Sequence, residues 1–159
     1  MLPSEQLRKE IEEKYNINLE QYAWSDELKK EIFSIELDDT IETQASTLKE
    51  IYEHGFNIGH CGLTSRYVCR KFDEANLYYG KANLLINTKA APNGEHAWTT
   101  LNNNLIDTTL MIAIPKDKIQ EMGYYTEKQI APISARMLSE YDTYDTEFEK
   151  AKQTNTKIK

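Results

Sequence analysis

Cysteine is scarce in this chain: its 159 residues hold two, Cys61 and Cys69. Two cysteines do not make a disulfide framework. Eight residues apart on one helical stretch, they stand about 12 Å from each other, too far to bridge. Long apolar runs are missing as well, and nothing approaches the roughly 18 residues of a membrane span. Basic charge is short, 19 Lys and Arg against 26 Asp and Glu, for a net charge of −7. That balance speaks against a general binder of nucleic acid or of an anionic membrane. The opening Met1-Leu2-Pro3-Ser4-Glu5 has neither the basic nor the apolar region of a signal peptide, so a reduced, cytoplasmic protein is the expectation. Glycine and proline number 6 and 4, and no Pro/Gly/Ser-rich linker or internal repeat is visible. We therefore expect a single domain over 1–159, with N-terminal helices in 1–55, a core in 56–114, and helices and a tail in 115–159.

What is present centres on Gly59-His60-Cys61-Gly62-Leu63-Thr64-Ser65-Arg66-Tyr67-Val68-Cys69-Arg70-Lys71-Phe72. Two glycines open a loop, and a helix follows. With Cys61 first in that helix, Val68, Phe72 and Ala75 fall within about 40° of it on the helical wheel. Arg66, Arg70 and Asp73 fall on the far side. Cys61 thus begins the core-facing stripe, at a helix N-terminus whose partial positive charge and unpaired N–H groups favour a thiolate. That effect alone is about 0.3–1 kcal/mol, so a reactive thiol also needs a histidine partner. Cys69, two turns further in, reads as a buried core residue.

The preceding third reads as helices. Ser4 is placed to cap one carrying Leu7, Ile11 and Tyr15, and Ser25 to cap another carrying Leu28, Ile32 and Ile35. Asp39 with Glu42 predicts a capping box for a third, with Ile41, Ala45, Leu48 and Tyr52, ending at Gly55. After the Cys61 helix the pattern changes. Lys81–Asn87 predicts a strand, and Ala90-Ala91-Pro92-Asn93-Gly94 a turn. The last third predicts helices again: a short one between Pro115 and Gly123, and another capped by Thr126 and Gln129 and carrying Ile130, Ile133 and Met137. Beyond Tyr141 the chain is polar.

Glu95-His96-Ala97-Trp98-Thr99-Thr100-Leu101 and Leu105-Ile106-Asp107-Thr108-Thr109-Leu110 flank three asparagines and predict a hairpin. A two-residue loop at Asn102-Asn103 puts Asp107 opposite Trp98, on the face of His96 and diagonal to it. A pivot on Asn103 alone puts Asp107 on the other face. Both registers are open to the sequence.

A helix-opening Cys61 within Gly59-His60-Cys61, a strand opening within Asn93-Gly94-Glu95-His96-Ala97-Trp98, and a following Ile106-Asp107-Thr108-Thr109 resemble the transglutaminase-like superfamily. These are papain-like folds that use a Cys-His-Asp triad. The resemblance covers Gly59 to Thr109, about a third of the chain. It departs from the family in Gly62, where many members have an aromatic residue, and in the short interval from His96 to Asp107. It implies an α+β, papain-like fold with the cysteine helix packed on a small antiparallel sheet and extra helices flanking it. It also implies Cys61 as nucleophile, His96 as base and Asp107 as the partner that orients the base.

The chemistry agrees with these residue types. An imidazole beside a thiol holds it as a thiolate–imidazolium pair that attacks an acyl carbon. The carboxylate sets the ring tautomer. The backbone N–H of Cys61 is a natural oxyanion donor. Asn57 and His60 are side-chain candidates, and Trp98 is a candidate for substrate contact. The expected reaction is cleavage or transfer of a peptide or small amide through a Cys61 thioester, with no metal and no cofactor. The alternatives are transglutaminase-type amine transfer, a non-catalytic binding module on the same fold, and a helical interaction protein in which Cys61 is merely buried. A zinc site from His60, Cys61, Cys69 and His96 lacks a CxxC or HExxH spacing. His54 reads as a helix-end residue, and the ten tyrosines as packing and surface aromatics, with Tyr78-Tyr79 and Tyr124-Tyr125 as the alternative candidates for a cleft rim.

Overall fold

The computed structural model describes residues 3–34 and 59–137. The helix expected over Ile41–Tyr52, Ile35, His54, Asn57 and the tail beyond Tyr141 lie outside them. The described residues form an α+β structure of four α-helices and one antiparallel sheet of five strands. In chain order the elements are α1 (Pro3–Tyr15), α2 (Asp26–Phe33), α3 (Cys61–Lys71), β1 (Asn76–Ala82), β2 (Glu95–Leu101), β3 (Asn104–Asp107), β4 (Ile112–Pro115), β5 (Tyr124–Gln129) and the single turn α4 (Pro132–Ala135). Among the described residues no helix is long and apolar enough to cross a membrane.

The strands lie in the order β4-β3-β2-β1-β5. The hairpin of β2 and β3 takes the two-residue loop. Leu101 pairs with Asn104 and Thr99 with Ile106, and both loop asparagines adopt positive φ, 51° and 65°. Asparagine tolerates that region better than most residues, and such loops match the strand twist. Period-2 alternation then sorts the hairpin. Trp98 and Leu105 face one core, with Leu7 and Ile11 of α1, Leu19, Leu85, Ile112 and Tyr124. Ala97, Leu101 and Ile106 face the other, with Trp24, Ile32 of α2 and Val68 and Cys69 of α3. Burying large aliphatic and aromatic side chains on each face stabilises the fold by about 1.5–3 kcal/mol per side chain, before the entropy of ordering them.

The N-terminal helices follow their expected caps and stripes in part: Tyr15, at the end of the α1 stripe, is exposed. Ser25 Oγ accepts a hydrogen bond from the Leu28 N–H at 3.1 Å. Leu7 and Ile11 are buried, and α1 stops before Asn16 at φ 52°. Ser4 lies inside the first turn of α1, buried against Met111, rather than ahead of it as a cap.

Five further expectations are corrected. The strand expected over Lys81–Asn87 begins earlier, as β1, and residues Asn83–Leu85 form a 3-10 turn. The Cys61 helix ends at Lys71, so Ala75 reaches the core from the connection to β1. Thr126 and Gln129 do not cap a helix: they belong to β5, antiparallel to β1. The expected helix before Gly123 is likewise reduced to a 3-10 turn at Lys116–Lys118. Local capping patterns here yielded to strand pairing with a distant segment. Finally, Arg66 does not face solvent. It is 1% exposed, and its Nη1 donates to the Ser134 carbonyl of α4 at 2.6 Å. With β2 on one side and α2 and α4 also packed on it, α3 is buried from Gly62 through Cys69.

Gly80 is required by close approach. A Cβ there would fall on the Tyr125 carbonyl and within 2.8 Å of the Trp98 ring. The β1–β5 register shifts at this same point, between Tyr79 and Gly80. Gly80 also pairs with His96 across β1 and β2, so the bare backbone leaves room where the site is assembled.

Candidate active site

Three elements converge. α3 supplies Cys61 as its first residue, β2 supplies His96 from its second position, and β3 ends at Asp107. The helix N-terminus is tied to the end of β3 by a hydrogen bond between the hydroxyls of Thr64 and Thr108. Thr64 also bonds back to the His60 carbonyl at 3.0 Å, within the first turn of α3.

Asp107 is wholly buried and fully engaged. Its Oδ1 accepts the backbone N–H groups of Thr109 at 2.9 Å and Leu110 at 3.0 Å. Its Oδ2 accepts from His96 Nε2 at 2.8 Å and from the Tyr124 hydroxyl at 2.6 Å. Burial alone would favour the neutral acid; the His96 charge and these donors outweigh it and hold the carboxyl below its ordinary value. Burial works against the charged form of His96 too. The adjacent Asp107 carboxylate, joined by interaction with Cys61, overrides it and raises the imidazole well above its ordinary value. A carboxylate can only accept, so the proton on His96 sits at Nε2, and Nδ1 remains for the thiol. His96 thus bonds to Asp107 at 2.8 Å, and Cys61 also bears on its proton affinity.

Cys61 is half-buried, with its sulfur free of any disulfide, while Cys69 is fully buried. Burial pushes the Cys69 thiol up to about 12, with Arg136 and Arg66 drawing it back in part. His60 is the N-cap of α3, half-buried, with no capping bond from its side chain. Burial lowers its proton affinity, so its imidazole is neutral at pH 7. Trp98 is 1% exposed, so it is placed as a packing residue rather than as a substrate contact. Its ring stacks edge-on against Tyr124 at 5.3 Å and lies 6.1 Å from the ring of His96.

Nothing in the residue pattern singles out Tyr124 as a partner of Asp107: of the adjacent pair, Tyr124 is buried and Tyr125 is exposed. Gly123, a turn residue at φ 79° directly before Tyr124, marks only the turn. Among the described residues, no group of three or more His, Cys, Asp or Glu is close enough to hold a metal ion. A surface depression of about 420 Å³ lies at the tip of the β2–β3 hairpin, lined by Tyr78, Asn102, Asn103 and Lys116 among others. It includes none of Cys61, His96 and Asp107.

Compared with protein-family models, with curated proteins and with solved structures, the chain matches none.

Proposed function

We propose that this chain is a thiol-dependent acyl-transfer enzyme of transglutaminase-like, papain-like type, acting on a peptide or small amide through a thioester on Cys61. The observation that carries the reading is the buried His96–Asp107 hydrogen bond at 2.8 Å, supported by the electrostatic interaction of the same imidazole with Cys61. A half-buried thiol at a helix N-terminus, an imidazole tautomer set by a carboxylate, and a carboxylate held by four donors are what nucleophilic acyl transfer requires.

The proton of the Cys61 thiol passes to His96 Nδ1. The thiolate then attacks the carbonyl carbon, and a tetrahedral oxyanion forms. The Cys61 backbone N–H, first in α3 and so without a helical acceptor, is the natural donor to it; neutral His60 is the side-chain candidate beside it. His96 returns the proton to the leaving amine, the C–N bond breaks, and a thioester remains. Water attacks the thioester with His96 as base, releasing the acid and restoring the thiol. Hydrolysis needs only the triad and an oxyanion donor, whereas transfer to an amine needs a second, water-excluding site.

The test is turnover of a panel of peptides and small amides, in parallel with a glutamine-donor peptide plus a labelled primary amine. Cys61→Ala and His96→Ala should each abolish any turnover found. Amine incorporation without net hydrolysis would identify transfer as the reaction. Turnover that survives Cys61→Ala would overturn the mechanism.

A further inference from the structure

Tyr124 comes from β5, at the edge of the sheet beyond β1, yet its hydroxyl ends on the same Asp107 oxygen that receives His96. Three features set it there. Gly123 at φ 79° turns the chain into β5, and a Cβ at that position would come within 2.9 Å of Asn83. The Gly123 carbonyl accepts the Asn83 N–H at 2.9 Å. Tyr124 then pairs with Ala82 of β1 and packs edge-on against Trp98. The phenol is thus held by rigid neighbours on each side. A buried tyrosine needs some acceptor for its O–H, and packing alone would be content with any carbonyl. Here the acceptor is the carboxylate that sets the imidazole.

We propose that Tyr124 is a positioning residue of the site: with the Thr109 and Leu110 amides on Oδ1, its hydroxyl on Oδ2 fixes the Asp107 carboxylate so that His96 presents Nδ1 to Cys61. With two amides on Oδ1, Oδ2 would otherwise be held by the movable imidazole of His96 alone. The phenol adds a second donor there, from a different strand. It also takes up part of the charge on Oδ2, which moderates the pull of Asp107 on the proton of His96. Tyr124 itself stays protonated, because burial, the Asp107 charge and the bond it donates all raise its proton affinity well above that of a free tyrosine. The groups that bear on His96 are Asp107 from β3 and Cys61 from α3. From β1 its partner is Gly80, which carries no charge.

The catalytic meaning of this role rests on the acyl-transfer reading; the linkage from Tyr124 through Asp107 to His96 does not. The experiment therefore uses no substrate. His96 is titrated by NMR of its labelled imidazole in the wild type, in Tyr124→Phe, and in protein carrying 3-fluorotyrosine at 124. Phenylalanine removes the donor and exposes His96 to the full carboxylate charge, so the titration should move up by about half a pH unit. Fluorotyrosine, a stronger donor in the same ring, should move it down. Cys61 alkylation by iodoacetamide at neutral pH should slow several-fold in Tyr124→Phe as the carboxylate loses its setting. A His96 titration unmoved by fluorotyrosine would overturn the proposal even if Tyr124→Phe failed to fold. So would Tyr124→Phe that only lowers the melting temperature. Absence of acyl turnover would count against the enzyme reading and leave this linkage standing.

Discussion

The two ends of α3 carry the same functional group in opposite surroundings. At the N-terminal end, Cys61 is half-buried, next to an imidazole that is backed by a carboxylate. Eight residues later, Cys69 is sealed into the core with Val68, Leu77 and Ile106, and burial pushes its thiol up to about 12. Two arginines near Cys69 pull the other way and do not prevail. Positive charge nearby does not activate a thiol that water cannot reach; a titratable partner at a helix terminus can. The contrast teaches that the surroundings of a thiol along this helix are set by what the neighbouring strands bring to each end.

The comparison can be broken most severely at Asp107. Asp107→Ala leaves His96 and two backbone amides without their buried acceptor, so urea denaturation should show a loss of about 3–5 kcal/mol. A loss below about 1 kcal/mol would mean that the carboxylate is not the centre of this network. Native alkylation sharpens the same contrast. Iodoacetamide at pH 7 should modify Cys61 more than about 100-fold faster than Cys69, read by peptide mass spectrometry, with Cys69 reacting only on unfolding. Preferential labelling of Cys69 would reverse the assignment of the two ends.

Asp107→Asn is a milder break. The amide oxygen can still take the Thr109 and Leu110 N–H groups, but the amide nitrogen favours the wrong imidazole tautomer. Cys61 alkylation at pH 7 should fall at least about ten-fold while the variant stays folded. An unchanged rate would show that His96 acts without its carboxylate.

Stability should also follow pH in a defined direction. The folded value of His96 is raised, so its contribution is complete below the ordinary 6.5 and is lost as pH climbs through the folded value. The folded value of Asp107 is depressed, so its contribution is present above 3.8 and is lost on acidification through the folded value. Urea midpoints should therefore be highest between pH 3.8 and 6.5 as far as this pair is concerned, and decline above that range. In His96→Gln the decline above 6.5 should flatten; its persistence would assign it to other groups. The smallest effect belongs to the quiet end of the helix. Cys69→Ala should cost about 1 kcal/mol from a small cavity and leave the alkylation rate of Cys61 unaltered. A change in that rate would show that the two ends are coupled.

Local chemistry made part of this legible from residue types alone. Ser25 before Asp26 and Glu27 starts α2, and the asparagines at 102 and 103 mark the hairpin. The even loop whose parity puts Asp107 with His96 was one of two registers open to the sequence, and the sheet pairing chose it. The cap and the turn rest on interactions a few residues apart in sequence, so the sequence itself determined the hairpin, the helix-opening cysteine and the order Cys, His, Asp. Tyr124, Arg66 and β5 were decided elsewhere. A Thr126…Gln129 spacing looks the same in a helix cap and in an edge strand until β1 is there to pair with it. Arg66 sits opposite Cys61 on the wheel, yet α2 and α4 cover that side of α3 as well, and the Ser134 carbonyl takes its charge. The bond from Tyr124 to Asp107 needs β5, β1, β2 and β3 to be laid side by side in one sheet. Which surface is covered, and which donor meets a buried carboxylate, depends on segments distant in the chain, and only the tertiary structure brings those together.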